Sequence, residues 1–208
     1  MTSLLPPGRF PMTDVRVFFG HSMEAMFLHA IPPDAYPELA PRYAMAGFDL
    51  SRPALPAYTY DTWLACLRIQ REVTLSHASD EEAAYLQGAH CADAYFHRTV
   101  LGGPLKTLLR SLGAQKVLER TTRNLRTGNN FSDARFTSSG TREGSLWMND
   151  LMHDSPQFIV GLLTRSLLVL GATLDAHLVM MENGGALFSV KWSQGTTRPL
   201  PTARFPGR

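Results

Sequence analysis

Residues 122–131 read TRNLRTGNNF. The stretch combines a basic helix end, a glycine that closes the helix, two amide side chains and the aromatic start of a strand. Upstream of it, apolar residues recur at helical spacing, and downstream they alternate with the period of two that is typical of strands. The chain is therefore predicted to have an α+β fold in a single domain, with a helical N-terminal half packed on a β-β-α-β-β C-terminal half.

The helices upstream of this junction are predicted from their apolar faces. Residues 60–73 place Trp63 and Leu67 on one face of a helix. The next helix begins at Asp80, and its predicted buried stripe consists of Tyr85, Ala89, Ala92, Phe96 and Val100. The last helix covers residues 117–125 and is closed by Gly128, for which we expect a positive φ angle.

The pattern nearer the N-terminus predicts shorter elements. Residues 14–19 alternate as in a short strand. Ser22 is placed to cap the helix that follows Gly20. Residues 48–58 contain two prolines and show no helical period, which predicts a stiff connector without regular structure.

The C-terminal half is predicted from alternation and turn residues. Residues 131–137 and 145–149 are expected to be two strands, and a helix is expected to start at Ser155 as its N-cap. Residues 174–180 and 188–192 alternate on either side of an Asn-Gly-Gly turn, which indicates a hairpin. The domain is expected to span residues 14–193, between a flexible arm (1–13) and a flexible tail (194–208).

The composition excludes several classes of protein. The formal net charge of the 208 residues is +2, far below that of a typical nucleic-acid-binding domain. No apolar run approaches the ~18 residues of a membrane span, and the first residues lack the pattern of a signal peptide. Two cysteines are too few for a disulfide framework or a zinc cluster. We therefore expect a cytoplasmic protein that binds neither nucleic acid nor membranes.

The junction also contains candidate ligand-binding residues. Arg120, Arg123 and Arg126 recur every three residues, and with Asn129 and Asn130 they could form a site for an anion or a polar ligand. A structural role is the alternative. Cations are favourable at a helix C-terminus, Glu119 could pair with Arg123 four residues later, and asparagine tolerates the backbone that follows a glycine cap.

Histidines form the second candidate set. His90 and His97 are seven residues apart on one helical face, but no third metal ligand occurs at a diagnostic spacing, so a structural role is expected. The sequence contains no nucleophile elbow, phosphate loop or dinucleotide-binding fingerprint.

Four segments carry a resemblance to a known family: residues 19–27, 46–63, 121–131, and 146–150 together with the hairpin that ends at Trp192. The chain resembles a large paralogous family of proteins of about this length, of unknown function and known chiefly from myxobacteria. The resemblance covers nearly the whole chain and implies no agreed activity.

The order of elements is also similar to that of two kinds of sensor domain, the haem nitric-oxide/oxygen-binding (H-NOX) domains and the vinyl-reductase-type ligand-binding domains. For the haem-binding domains, the resemblance implies two features. A histidine on the helix before the first strand binds the haem iron, and a Tyr-x-Ser-x-Arg motif binds the haem propionates. Residues 116–125 contain no histidine, and the motif does not occur in the chain. We therefore expect no haem, no metal and no other cofactor.

Three functional hypotheses follow. The favoured one is a non-enzymatic, ligand-sensing or protein-interaction domain with an apolar pocket lined by residues such as Phe96, Phe158, Leu162 and Trp192. The second is an enzyme that uses His90 and His97, or the arginines at positions 123 and 126. The third is a structural assembly module. A symmetric homodimer is expected in any of these cases, as is common for small domains.

Overall fold

The computed structural model describes residues 15–149, 155–182 and 184–194. The predicted arm and tail lie outside these residues, except for Gln194, which ends the last strand. The N-terminal half is mostly helical, and a pair of short strands lies among its helices. Its elements are β1 (Val17–Phe19), α1 (Gly20–Glu24), a π-helical turn (Ala25–His29), a 3-10 turn (Pro33–Ala35), α2 (Tyr36–Met45), β2 (Ala57–Thr59), α3 (Tyr60–Thr74), α4 (Asp80–Arg98), α5 (Gly102–Leu112), α6 (Ala114–Glu119) and α7 (Thr121–Leu125).

The C-terminal half has the predicted β-β-α-β-β order. Its elements are β3 (Ala134–Gly140), β4 (Glu143–Asn149), α8 (Pro156–Val169), β5 (Ala172–Glu182) and β6 (Gly185–Gln194). The four strands form one antiparallel sheet in the order β3-β4-β6-β5. The β5–β6 hairpin turns at Gly184, whose φ of 72° suits glycine. The predicted α+β class is confirmed.

Two long helices begin where side-chain capping is strong. The Thr59 hydroxyl accepts a hydrogen bond from the Thr62 amide before α3, and the Ser79 hydroxyl accepts one from the Glu82 amide before α4. Capping of this kind satisfies amides that have no partner inside the helix. Helix α4 also carries three acidic residues in its first turn, where the helix dipole favours negative charge.

The predicted helix over residues 117–125 is wrong in one respect, because it is two helices. Arg120 separates α6 from α7 with a φ of −103° and a ψ of 13°. The break moves residues 119 and 123 out of helical register. Glu119 consequently pairs with Lys116 at 2.6 Å instead of with Arg123.

Four smaller predictions also need correction. Ser22 does not cap a helix, because α1 already begins at Gly20 and the Ser22 side chain is buried. Residues 57 and 58, at the end of the predicted connector, belong to β2, which pairs with β1. Ser155 precedes α8 without a side-chain capping bond. Val100 is 93% exposed, because α4 ends at Arg98 and the chain turns to an extended conformation at Thr99.

One continuous core joins the two halves. Helix α8 packs on α4 in the helical half and on β5 of the sheet. Buried residues of α8 such as Phe158 and Ile159 share this core with Met148, Phe188 and Trp63. The described residues therefore form a single domain. No helix among them is long and apolar enough to cross a membrane.

Candidate functional site

An apolar cavity of about 120 Å³ lies where α4, α5, α6, α7 and α8 meet. These helices bring apolar side chains together from distant parts of the chain, and α3 and β1 contribute Trp63 and Phe18. Representative lining residues are Trp63, Phe96, Leu109, Val117, Phe158 and Leu162. The space is of the size that, in other proteins, holds a benzene-sized molecule, and it is too small for a drug-sized ligand.

A chain of polar groups borders the cavity at the α4–α7 side. The Thr127 hydroxyl donates to the backbone oxygen of Asn124 at 2.7 Å, so the Tyr95 hydroxyl, 3.2 Å away, donates to Thr127. His21 Nε2 lies 2.8 Å from the Thr127 backbone oxygen and donates to it. Burial raises the pKa of Tyr95. The phenol is therefore a neutral hydroxyl group.

Four of the eight predicted ligand-binding residues lie around this cavity. Phe96 comes from α4, Phe158 and Leu162 come from α8, and Asn129 follows α7. Trp192 does not line the cavity. Its ring packs on that of Phe136 with centroids 5.8 Å apart, within the sheet.

Asn129 and Asn130 bind the backbone on both sides of the junction. The buried Asn129 side chain accepts hydrogen bonds from the amides of Phe131 and Ser132 and donates to the oxygen of Leu125. Because these two amides are taken by Asn129, the predicted strand at Phe131 starts only at Ala134. Asn130 accepts from the amide of Val17 and donates to the oxygen of Val15, both at 2.9 Å.

The two arginines of the predicted site lie outside the cavity lining. Arg126 is exposed, and its Nε donates to the backbone oxygen of Ser132 at 2.8 Å. Arg123 is exposed at the end of α7. Neither guanidinium lines the cavity. The residues of the junction therefore divide between the cavity wall, backbone anchoring and the surface.

Gly128 has a role that differs from the predicted one. The glycines with positive φ among the described residues do not include it, so the expected left-handed helix cap is wrong. A Cβ at Gly128 would instead lie 2.6 Å from the Ser22 hydroxyl oxygen. The residue is small because α1 packs directly against it.

His90 and His97 lie in a separate open cleft of about 620 Å³. His97 Nδ1 lies 2.9 Å from the Asp93 backbone oxygen, and its Nε2 lies 3.2 Å from Lys106 Nζ. Asp93 forms an ion pair with Arg165 at 2.6 Å. Burial lowers the pKa of His90. Within the described residues, no group of His, Cys, Asp and Glu side chains could hold a metal ion.

Sequence reasoning missed three residues that characterise the cavity. Cys91 and Tyr95 lie on α4 beside Phe96, and Trp63 reaches the cavity from α3. Burial raises the pKa of the Cys91 thiol to about 12. The spacing of Phe96 along α4 pointed to the correct helical face, but no sequence signal showed that α3 and α8 would meet it.

The element order and the antiparallel sheet form an α+β domain whose fold is similar to that of H-NOX proteins. The match to an H-NOX double variant labelled Tt covers 86% of this chain and 95% of that chain, with a TM-score of 0.62 and 11% sequence identity. The match to an H-NOX protein from S. oneidensis in the Fe(II)NO state has a TM-score of 0.61 and 6% sequence identity, and it covers 83% of this chain and 96% of that chain. The match to an unliganded Fe(II) H-NOX protein from K. algicida has a TM-score of 0.54 and 10% sequence identity, and it covers 85% of this chain and 97% of that chain.

The family is defined by the sequence. Residues 16–193 match the family described as Protein of unknown function (DUF2378), and the chain belongs to this family. No curated protein matches the chain.

The residues around the cavity do not fit a haem group. Among the described residues, no histidine, lysine or arginine lines it, so neither an imidazole for iron nor a cation for propionates is present. Cys91 and Tyr95 could offer a ligand atom only after deprotonation, which burial disfavours in both. Helix α6 and helix α7, which precede the first strand of the sheet, present Val117, Leu118 and Thr121 instead.

Proposed function

We propose that this chain is a non-enzymatic, cytosolic ligand-sensing domain whose cavity binds a small and mostly apolar molecule. The observation that carries the proposal is the cavity itself, lined by Phe96, Phe158 and Leu162 at the junction of five helices. Well-packed interiors contain few voids larger than a water molecule. An apolar void of this size is a site where small apolar molecules gain free energy by leaving water.

The contacts around the junction offer a route from the cavity to the N-terminal strand. Gly128 and Asn129 line the cavity, and the Gly128 backbone oxygen accepts a hydrogen bond from the Phe19 amide at 2.9 Å. Asn130, the next residue after Asn129, binds the backbone of Val17 in β1 and of Val15 just before the strand. A ligand that shifts or stiffens this segment therefore alters β1. We infer that β1 and its neighbour β2 form the responsive part of the domain.

A non-enzymatic role is supported by the ionisation of the groups around the cavity. Cys91 is a neutral thiol and Tyr95 is a neutral phenol, because burial raises the pKa of both. A nucleophile or a general base needs a pKa close to the working pH. These groups suit binding better than proton transfer.

The proposal is tested by ligand binding with a cavity-filling variant. Gently purified protein is analysed by native mass spectrometry for a co-purifying small molecule, and benzene or indole is then added while the melting temperature is followed. The wild type should melt at a higher temperature with ligand. Leu162→Phe should lose most of that shift by filling the cavity. Leu108→Phe, the same change at a position that is 54% exposed, should keep it. Equal shifts in all three proteins would contradict the proposal.

A second candidate, self-association through β5, is favoured by one further observation. The edge strand β5 carries four consecutive apolar residues that are between 37% and 52% exposed, namely Leu178, Val179, Met180 and Met181. An edge strand of this kind is a template for pairing with another strand, and two copies can pair symmetrically. We propose that two copies of the chain form a homodimer there.

Sedimentation distinguishes the homodimer from a monomer. Val179→Lys should shift the protein to monomer at micromolar concentration, because the lysine would be buried without a partner in the interface. Leu108→Lys introduces the same charge at a position of α5 that is 54% exposed and should leave the assembly in place. A wild-type protein that sediments as a monomer would rule the homodimer out.

A further inference from the structure

The side chain of Trp63, at the cavity wall, has a hydrogen-bond donor without a partner. Trp63 is 1% exposed and lines the cavity, yet its indole Nε1 has no hydrogen-bond partner. Buried polar groups are nearly always hydrogen-bonded, because a donor removed from water without an acceptor is costly. An unpartnered donor at the wall of a cavity therefore points to an acceptor that belongs to the ligand.

Two aromatic neighbours of the indole ring offer no oxygen or nitrogen acceptor to Nε1. The Phe18 ring is stacked on Trp63 with centroids 3.8 Å apart and planes 10° apart. The Phe27 ring meets it edge-on at 5.0 Å. Both are hydrocarbon rings, so they hold the indole in position and leave Nε1 unbonded.

Three other polar side chains of the lining donate hydrogen bonds to backbone carbonyl oxygens. Thr121 Oγ1 donates to the oxygen of Leu118 at 2.7 Å, and Asn124 Nδ2 donates to the oxygen of Val117 at 3.2 Å. Thr127 Oγ1 donates to the oxygen of Asn124. A buried water usually needs two to four polar partners, and this mostly apolar cavity favours an organic ligand over water.

We propose that the ligand is a small neutral molecule with one oxygen acceptor, such as a ketone or an ether, which bonds to Trp63 Nε1. This inference rests on the proposed sensing function. The ligand is neutral because, among the described residues, no cationic or anionic side chain lines the cavity. A cavity of about 120 Å³ limits it to roughly the size of benzene.

The indole N–H signals of the three tryptophans report this bond directly. Cyclopentanone and cyclopentane have nearly the same shape, and only the ketone carries an acceptor. Added to the ¹⁵N-labelled full chain, both should perturb signals of the cavity. Only cyclopentanone should move the Trp63 N–H proton downfield, while the Trp147 and Trp192 signals should stay in place.

Binding constants provide the second measurement. The affinity of cyclopentanone relative to cyclopentane should fall by about three- to tenfold in Trp63→Phe, the factor that corresponds to one net hydrogen bond. Trp192→Phe is the matched control, because Trp192 lies in the sheet outside the cavity lining. In Trp192→Phe, the affinity of cyclopentanone relative to cyclopentane should equal that of the wild type.

The outcomes separate the two proposals. If neither molecule perturbs the cavity signals, the sensing function fails and this inference fails with it. If both bind and the Trp63 N–H signal responds equally to them, the cavity binds ligands but the hydrogen bond to Trp63 is overturned. The hydrogen bond is also overturned if Trp63→Phe folds and keeps the wild-type affinity ratio.

Discussion

Gly88 of α4 and Gly161 of α8 hold their two helices in reciprocal contact, backbone against backbone. A Cβ at Gly88 would lie 2.0 Å from the backbone oxygen of Phe158, and a Cβ at Gly161 would lie 2.0 Å from that of Tyr85. The contact places Phe158 and Leu162 at the cavity wall beside α4. The close approach of these two helices thus builds both the core and the candidate site.

Alanine at Gly88 or Gly161 should therefore be strongly destabilising. We expect a loss of about 3 kcal/mol for each, because the helices would have to separate to admit the methyl group. Gly103→Ala is the control, since a Cβ there meets nothing within 4 Å. It should be neutral or slightly stabilising. Urea denaturation measures all three, and similar losses at the three positions would contradict the packing explanation.

Gly128→Ala should cost about 1–2 kcal/mol, because its methyl group would overlap the Ser22 hydroxyl. The double variant Ser22→Ala/Gly128→Ala should recover at least half of that loss. A double-mutant cycle by thermal or urea denaturation measures the coupling. If removal of the Ser22 hydroxyl gave no recovery, the cause would have to lie in the backbone of Gly128 itself.

Asn130→Ala should cost about 1–2 kcal/mol, because it removes two hydrogen bonds that attach β1 to the junction. Hydrogen exchange at the Val17 amide should become faster, which localises the effect. Arg123→Gln, at an exposed neighbouring position, should change stability by less than about 0.5 kcal/mol. Slow exchange at Val17 in the Asn130 variant would show that β1 is held by other contacts.

The arginines remain proposed ligand- or partner-binding residues, and two variants test them. Arg126→Gln should cost at most about 1 kcal/mol, through the bond to Ser132, and Arg123→Gln should cost less. If they bind an anion or a partner, a cellular phenotype should weaken while the melting temperature barely moves. Parallel losses of phenotype and stability would exclude a binding role.

The pH dependence of stability should reveal His90. Burial lowers the pKa of this imidazole below 6.5, against the smaller opposing effect of Asp93. The unfolded chain therefore takes up the proton first as the pH falls, so the free energy of unfolding should decrease below about pH 6.5. Above that pH, both states are neutral and the contribution is constant. His90→Gln should reduce this acid-side loss in urea titrations, whereas His77→Gln, at an exposed position, should preserve it.

The elements that sequence reasoning predicted well are those with a long local signal. Helix α3 was predicted over residues 60–73 and spans Tyr60–Thr74, because fifteen residues carry several turns of apolar spacing. The β5–β6 hairpin was predicted from alternation and a glycine turn, which act over a few residues. The three-residue strand β2 is too short for alternation to be visible.

The candidate site was predicted only in part for a related reason. Phe96, Phe158 and Leu162 could be assigned to buried faces from their own helices, and all three line the cavity. Trp192 has the same apolar signature, but the sheet uses it to pack on Phe136. Periodicity shows which side of an element is buried, and it does not show which other element covers that side.

Local patterns were sufficient for the α+β class, the order of most elements and the turn at Gly184. These features depend on interactions over a few residues. Only the tertiary structure showed three other features. They are the contact of Gly88 with α8, the attachment of β1 by Asn130 more than 110 residues away and the unpartnered indole of Trp63. They depend on distances between remote segments, which exist only once the whole chain has folded.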